Sequence, residues 1–187
     1  MSYETAASLR TNFLTPNPYP LSPNYMIRDA AIEDLAKIVE IYNTSIPGRL
    51  ATADLEPVTV QSRIEWFESH SPDLRPLWVL EVDHQVRAWL SLRSFYGRAA
   101  YQHTAEVSIY VSPDYHRQHL GDRLLIKAIE TSPSLDLKRL VGFIFAHNQP
   151  SINLFKKHDF VQWGYLPQIA ELNGIERDLM ILGRKID

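Results

Sequence analysis

The chain contains no cysteine among its 187 residues. That absence excludes disulfides, thiolate catalysis and cysteine-ligated zinc together, and it leaves the redox compartment open. Nothing approaches the roughly 18 consecutive apolar residues a membrane-spanning helix needs. Positive charge is not in excess either. The formal net charge is -3, so neither nucleic acid nor an anionic bilayer is an expected partner. Segment 1–25 lacks the basic and apolar stretches of a secretory signal, and its Glu4 and lone Arg10 argue against an organelle-targeting role. A cytoplasmic location is the expectation. There is no internal repeat, no HExxH pattern and no serine in a nucleophile elbow, so a zinc protease and a Ser-His-Asp hydrolase are both unsupported.

Hydrophobic residues make up 45% and charged residues 22%, proportions that fit one soluble globular domain with a real core. Segment 1–25 differs from the rest: it is proline-rich and without periodicity, and reads as an extended or disordered arm. Residues 26–187 form the expected domain. Ile32, Leu35, Ile38, Val39, Tyr42 and Ile46 share one helical face, and Pro47-Gly48 ends that helix. Thr59 suits the cap of a second helix carrying Ile64, Trp66 and Phe67. Segments 77–82 and 86–95 read as a hairpin, and 105–111 as a strand. A helix opens near His119–Gly121, a buried strand covers 140–146, and Pro150 sits in the first turn of another helix. Strands near 160–165 and 177–183 complete the chain. This order predicts an α/β fold: a mixed, mostly antiparallel twisted sheet with helices on both faces.

The most informative stretch is TAEVSIYVSPDYHRQHLGDRLL, residues 104–125: strand, Pro-Asp turn, polar loop, then Gly121 opening a helix. Backbone N–H groups and a positive helix end converge there, which suits a phosphate. Arg117, Arg123 and Lys127 are the cations in reach by sequence. Side chains alternate along the strand, so Glu106, Ser108 and Tyr110 share one face and Val107, Ile109 and Val111 the other. A carboxylate within a sheet is either ion-paired, for instance with an arginine, or a general base at the floor of a cleft. His116 and His119 share one helical spacing, but no third ligand accompanies them, so no metal site is expected.

These segments resemble the GNAT N-acetyltransferases, and within them the phosphinothricin (methionine sulfoximine) acetyltransferase group. The family's Gln/Arg-x-x-Gly-x-Gly/Ala signature falls on His116-Arg117-Gln118-His119-Leu120-Gly121. The segments AEVSIYVSP, Asn148-Gln149-Pro150-Ser151, IPGRLATADLEPVT, WLSLRSFYGRAAY and WGYLPQIAELNGIERDLMILGRK also match the subgroup. Four positions depart from the pattern: His116 replaces Gln/Arg, His119 replaces the first glycine, Phe155 stands where many members carry a tyrosine acid, and Asp159 replaces a glycine.

The resemblance implies an acetyl-CoA-dependent N-acetyltransferase in which a substrate amine attacks the thioester directly. It makes Glu106 the expected base, with Tyr110, His147 or His158 as possible proton donors to the leaving thiolate. The cofactor would lie on Ser108, Ile109, Tyr110, Val111, His116, Arg117, Gln118, His119, Leu120, Gly121, Asp122, Arg123, Asn148, Ser151 and Phe155. For Asn148 a helix cap is an equally good role. A small-molecule amine, of the phosphinothricin, methionine sulfoximine or methionine sulfone type, would meet Arg49, Thr52, Glu56, Trp89, Arg93, Tyr96, Arg98 and Tyr101. Peptide or protein acetylation and a non-catalytic CoA-binding domain are the alternatives. A homodimer is expected, with contact near 163–173.

Overall fold

A short strand and two helices open the domain, as the apolar spacing requires. In the computed structural model, which describes residues 24–186, these are β1 (Tyr25–Asp29), α1 (Leu35–Ser45) and α2 (Ile64–Glu68). They are followed by β2 (Leu77–Val82), β3 (Gln85–Ser94) and β4 (Thr104–Val111), then α3 (Leu120–Thr131), β5 (Arg139–Phe145), α4 (Gln149–Lys157), β6 (Val161–Leu172) and β7 (Ile175–Lys185). The seven strands form one sheet in the order β1-β2-β3-β4-β5-β7-β6. All neighbours are antiparallel except β4 and β5, which run parallel. The expected mixed, mostly antiparallel architecture is therefore the one observed.

Period-two alternation divides the core between the two faces of the sheet. Trp78, Leu80 and Val82 pack with Leu90, Leu92, Leu124, Leu125 and Phe155, which puts α3 and α4 on one face. Leu77, Val79 and Trp89 pack with Ile38 and Ile41, with Trp66 and Phe67 against them, which puts α1 and α2 on the other. Trp89 Nε1 donates to the Ile38 carbonyl at 3.1 Å, so the indole is buried without an unpaired donor. Buried Glu81 is held by Arg28, which also bonds Asp34 at the head of α1 and so ties that helix to the sheet.

The first strand begins at Tyr25, paired with Val82; the expected arm up to residue 23 lies outside the described residues. One expectation is corrected. The last two strands are longer than the 160–165 and 177–183 expected. They form one hairpin that turns at Asn173-Gly174, both with positive φ (53° and 74°), the conformation an Asn-Gly hairpin turn demands.

Candidate active site

The site begins where two strands part. β4 and β5 pair over only three positions, from Thr104↔Arg139 to Glu106↔Val141, although both strands continue. The N–H of Ser112 bonds Arg87 O, and Thr104 O accepts from Phe95, so even-numbered residues of β4 turn their main-chain groups to β3. The odd-numbered residues face β5. Beyond Glu106 the peptide N–H groups of Ile109 and Val111 therefore face an open split rather than a partner strand. A cleft of ≈ 480 Å³ passes through this split, from α1 and the 50–58 loop to α4.

Glu106 forms the floor. It lies on the α1/α2 face with Ser108 and Tyr110, as the alternation predicts, and all three line the cleft. Among the described residues no side chain bonds its carboxylate. Partial burial raises its pKa above the usual carboxylate value, and the charge of Arg93, its direct cross-strand neighbour, opposes that shift. Arg93 also lines the cleft, and its side chain is otherwise in solvent. The Tyr110 hydroxyl donates to Ala51 O at 3.1 Å, and burial pushes its pKa well above a normal phenol. Its one proton is therefore directed at the covering loop.

The loop after β4 turns twice through left-handed backbone, at Arg117 (φ 60°) and His119 (φ 61°), before α3 starts. A positive φ explains why glycine suits position 119, and a histidine there carries a strain of roughly 1–2 kcal/mol. The N–H groups of Leu120, Gly121 and Asp122 then open the helix with no carbonyl behind them to bond. Gly121 is small for another reason: a Cβ would meet Leu154 Cδ2 at 3.1 Å. The His119 side chain is 76% exposed and so does not fill the cradle. His116 Nε2 donates to the Val111 carbonyl at 3.0 Å, fixing the loop to the strand end.

Asp122 is not an open contact of the cradle but its internal tie. It accepts from His158 Nε2 (2.6 Å), from His119 Nδ1 (3.2 Å) and from the Lys157 ammonium. Burial alone would raise its pKa; the hydrogen bonds from Lys157, His158 and His119 outweigh burial and hold it at about 2. Arg123 and Lys127 are placed away from where sequence put them. The Arg123 guanidinium stacks over Tyr25 at 4.3 Å and the Lys127 ammonium sits over Trp78 at 5.6 Å, because both project from α3 toward β1 and β2. Lys157, at the end of α4, is the cation that sequence reasoning missed here.

The 49–58 loop covers the α1 side of the cleft. The Tyr42 hydroxyl has one proton, donated to Asp54 Oδ2 at 2.6 Å, so Thr52 Oγ1 donates to Tyr42. Arg63 Nη2 also bonds Asp54 Oδ2, at 2.8 Å, and its guanidinium lies over the Tyr42 ring. Trp89 stacks on Tyr110 at 4.6 Å and meets Trp66 at 5.6 Å, which closes an aromatic wall. Tyr42, Asp54, Arg63 and Trp66 line this cleft and were not singled out from sequence; Tyr42 and Trp66 read there as helix core.

The remaining expected residues divide. Thr52, Trp89, Arg93, Asn148, Ser151 and Phe155 line the cleft. Asn148 caps α4, its Oδ1 accepting from Ser151 N, and its Nδ2 donates to Leu50 O at 3.0 Å, so it also anchors the covering loop. Arg49 does not line the cleft: its Nη1 donates to the carbonyls of Asp54 and Leu55 and so shapes the loop. Glu56, Tyr96, Arg98 and Tyr101 are exposed and do not line the cleft. Gln118 is exposed as well, donating to Asp114 O.

Comparison with known proteins bears on this arrangement. The sequence model of the Acetyltransferase (GNAT) family matches residues 35–160, well over half of the chain. The chain belongs to the GNAT acetyltransferase family. It is 47% identical over 161 residues to YwnH of Bacillus subtilis (strain 168), which is provisionally named a phosphinothricin acetyltransferase; the match covers 86% of this chain and 98% of that one. It is 30% identical to the L-amino acid N-acyltransferase MnaT of Escherichia coli (strain K12), over 86% and 94% of the two chains. Among solved structures, yncA of Salmonella typhimurium, determined with its cofactor acetyl-CoA, superposes with a TM-score of 0.82 at 27% identity, covering 87% of this chain and 94% of that one. The expected fold and the N-acetyltransferase class both stand.

Proposed function

We propose that this GNAT enzyme transfers the acetyl group of acetyl-CoA to the primary amine of a small amino acid or analogue, of the phosphinothricin, methionine sulfoximine or methionine sulfone type. The observation that carries the reading is the split between β4 and β5, which opens beside the mouth of α3 with Glu106 on its floor. The names of the Bacillus and Escherichia relatives support the substrate class.

The residues present fit the cofactor. The unpaired N–H groups of Ile109 and Val111 suit its amide-bearing arm. The left-handed turns at Arg117 and His119, with the free N–H groups of Leu120, Gly121 and Asp122, suit a diphosphate. Arg117 and Lys157 supply positive charge there. Acetyl-CoA, when bound, supplies a thioester open to attack by an unprotonated amine. An alkylamine with a pKa near ~10 is protonated at neutral pH, so the chain must take its proton. Glu106 is the group placed for that step, directly or through a water, and its raised pKa makes it a better base than an exposed carboxylate. Tyr110 acts in our account as a wall, held by Ala51. Thr52 and the aromatic residues exclude water from the acceptor, and Arg93 offers a cation beside Glu106.

We place the enzyme in the cytoplasm as a homodimer; no helix among the described residues is long and apolar enough to cross a membrane. Val161, Trp163 and Tyr165 on the sheet-edge strand β6 are exposed and apolar, which supports a self-association surface there. We retain 26–187 as the acetyltransferase domain.

The test is thiol release from acetyl-CoA, in a chain that adds no thiol of its own. Release with methionine sulfone or phosphinothricin but not with a lysine-bearing peptide is expected. Release with the peptide alone would move the function to protein acetylation.

A further inference from the structure

Two arginines line the cleft, and they lie beside different ends of the β4 segment that forms its floor. The cross-strand pairs along its floor are Arg93↔Glu106, Ser91↔Ser108 and Trp89↔Tyr110. Glu106 and Tyr110 are four residues apart, about 13 Å along a strand. Arg93 belongs to the Glu106 end. Arg63 belongs to the Tyr110 end, because it lies on Tyr42, whose ring meets Tyr110 with centroids 4.9 Å apart.

Arg63 is also built as a binding group. Asp54 holds one nitrogen, Nη2, and the Tyr42 ring supports the guanidinium plane. Its Nε and Nη1 meet no protein acceptor among the described residues, and its side chain, 28% exposed, lines the cleft. A guanidinium fixed by two groups, with donors to spare beside the aromatic wall, suits a compact group bearing several acceptor oxygens.

We infer that Arg63 recognises the oxygen-bearing distal end of the acceptor's side chain, and that the Asp54 carboxylate orients it for that task. This rests on the proposed amino-acid substrate. An α-carboxylate is attached to the same carbon as the reacting amine, so it stays near Glu106, where Arg93 stands. Only a group several bonds further out reaches Arg63. Trp89 and Tyr110 wall the methylenes between. The site then selects a sulfone, sulfoximine or phosphinate over an apolar chain of equal length.

The test compares L-methionine sulfone with L-norleucine in wild type, Arg63→Met and Arg63→Lys. Wild type is expected to favour the sulfone in KM by about 10-fold or more, the scale of hydrogen bonds to a charged group. Arg63→Met should erase that preference while the KM for acetyl-CoA stays unchanged, and Arg63→Lys, which keeps the ion pair with Asp54, should restore part of it. A preference that survives Arg63→Met, or a loss shared equally by both amino acids, overturns the inference. Trp66 and Trp89 line the cleft, so quenching of tryptophan fluorescence reports amino-acid binding without turnover. If wild type turns over neither amino acid, the proposed reaction fails. The Arg63 inference is then decided by fluorescence alone: a sulfone preference lost in Arg63→Met upholds it, and no preference overturns it.

Discussion

Replacing Glu106 with Gln removes the proposed base and little else. The two side chains have the same shape, the carboxylate has no hydrogen-bond partner among the described side chains, and the position is only half-buried on the cleft floor. General-base catalysis contributes typically 10²- to 10⁴-fold, so kcat/KM at pH 7 should fall by about that factor, about 3–5 kcal/mol in the barrier. The pH dependence is the sharper readout. Burial raises the Glu106 pKa above 4.5 and Arg93 opposes that, so the wild-type profile should show an acidic limb above 4.5. That limb should vanish in Glu106→Gln. The free fraction of an amine with a pKa near ~10 rises about tenfold per pH unit below it, so the variant's deficit should narrow between pH 7 and 9. Stability works the other way. A carboxyl raised in the fold favours the folded state below its unfolded pKa and loses that contribution as pH rises through its folded pKa, so at pH 7 the amide should melt at or above wild type. Thiol release across pH measures the first two effects and calorimetry the third. Wild-type kcat/KM in Glu106→Gln, or a deficit unchanged from pH 7 to 9, would refute Glu106 as the proton acceptor.

Asp122 titrates near 2 in the fold against 3.8 unperturbed, so it contributes about 2 kcal/mol above pH 3.8 that is lost as pH falls from about 4 to about 2. Denaturant melts of Asp122→Asn should show that loss at pH 7 and convergence with wild type near pH 2. His119 sits at φ 61°, where a β-branched residue fits worse. His119→Val should therefore lower the melting temperature and weaken acetyl-CoA binding, while His119→Gly binds acetyl-CoA at least as tightly as wild type by calorimetry. A Cβ at Gly142 would meet Phe155 Cε1 at 2.6 Å, so Gly142→Ala should destabilise by about 1–3 kcal/mol in urea and disturb the cleft that Phe155 lines.

The helices were legible because their apolar spacing is long and one-sided: the expected Leu35, Ile38 and Val39 are buried in α1, although Ile32 precedes that helix and is exposed, and the buried Ile41 was not among the residues expected on that face. Glu106 was legible because one carboxylate interrupts an alternating strand. β6 was read too short because its exposed edge position leaves few inward apolar residues to mark it. The split between β4 and β5 leaves no mark of its own in either strand, since it arises from where pairing stops. Arg63 and Asp54 were missed because an arginine just before a short helix and an aspartate in a loop look like solvated charges until folding brings them together. Arg123 was misplaced because helical direction, not proximity in sequence to the loop, decides where its side chain lies.

The most direct measurement is identification of the product when the purified chain, acetyl-CoA and L-methionine sulfone are combined and resolved by mass spectrometry. N-acetyl-methionine sulfone and free CoA are expected in equal amounts, with no acetyl group retained on the protein. CoA released alongside free acetate, or alongside an acetylated protein that forms without the amine, would contradict direct transfer to a small amino acid.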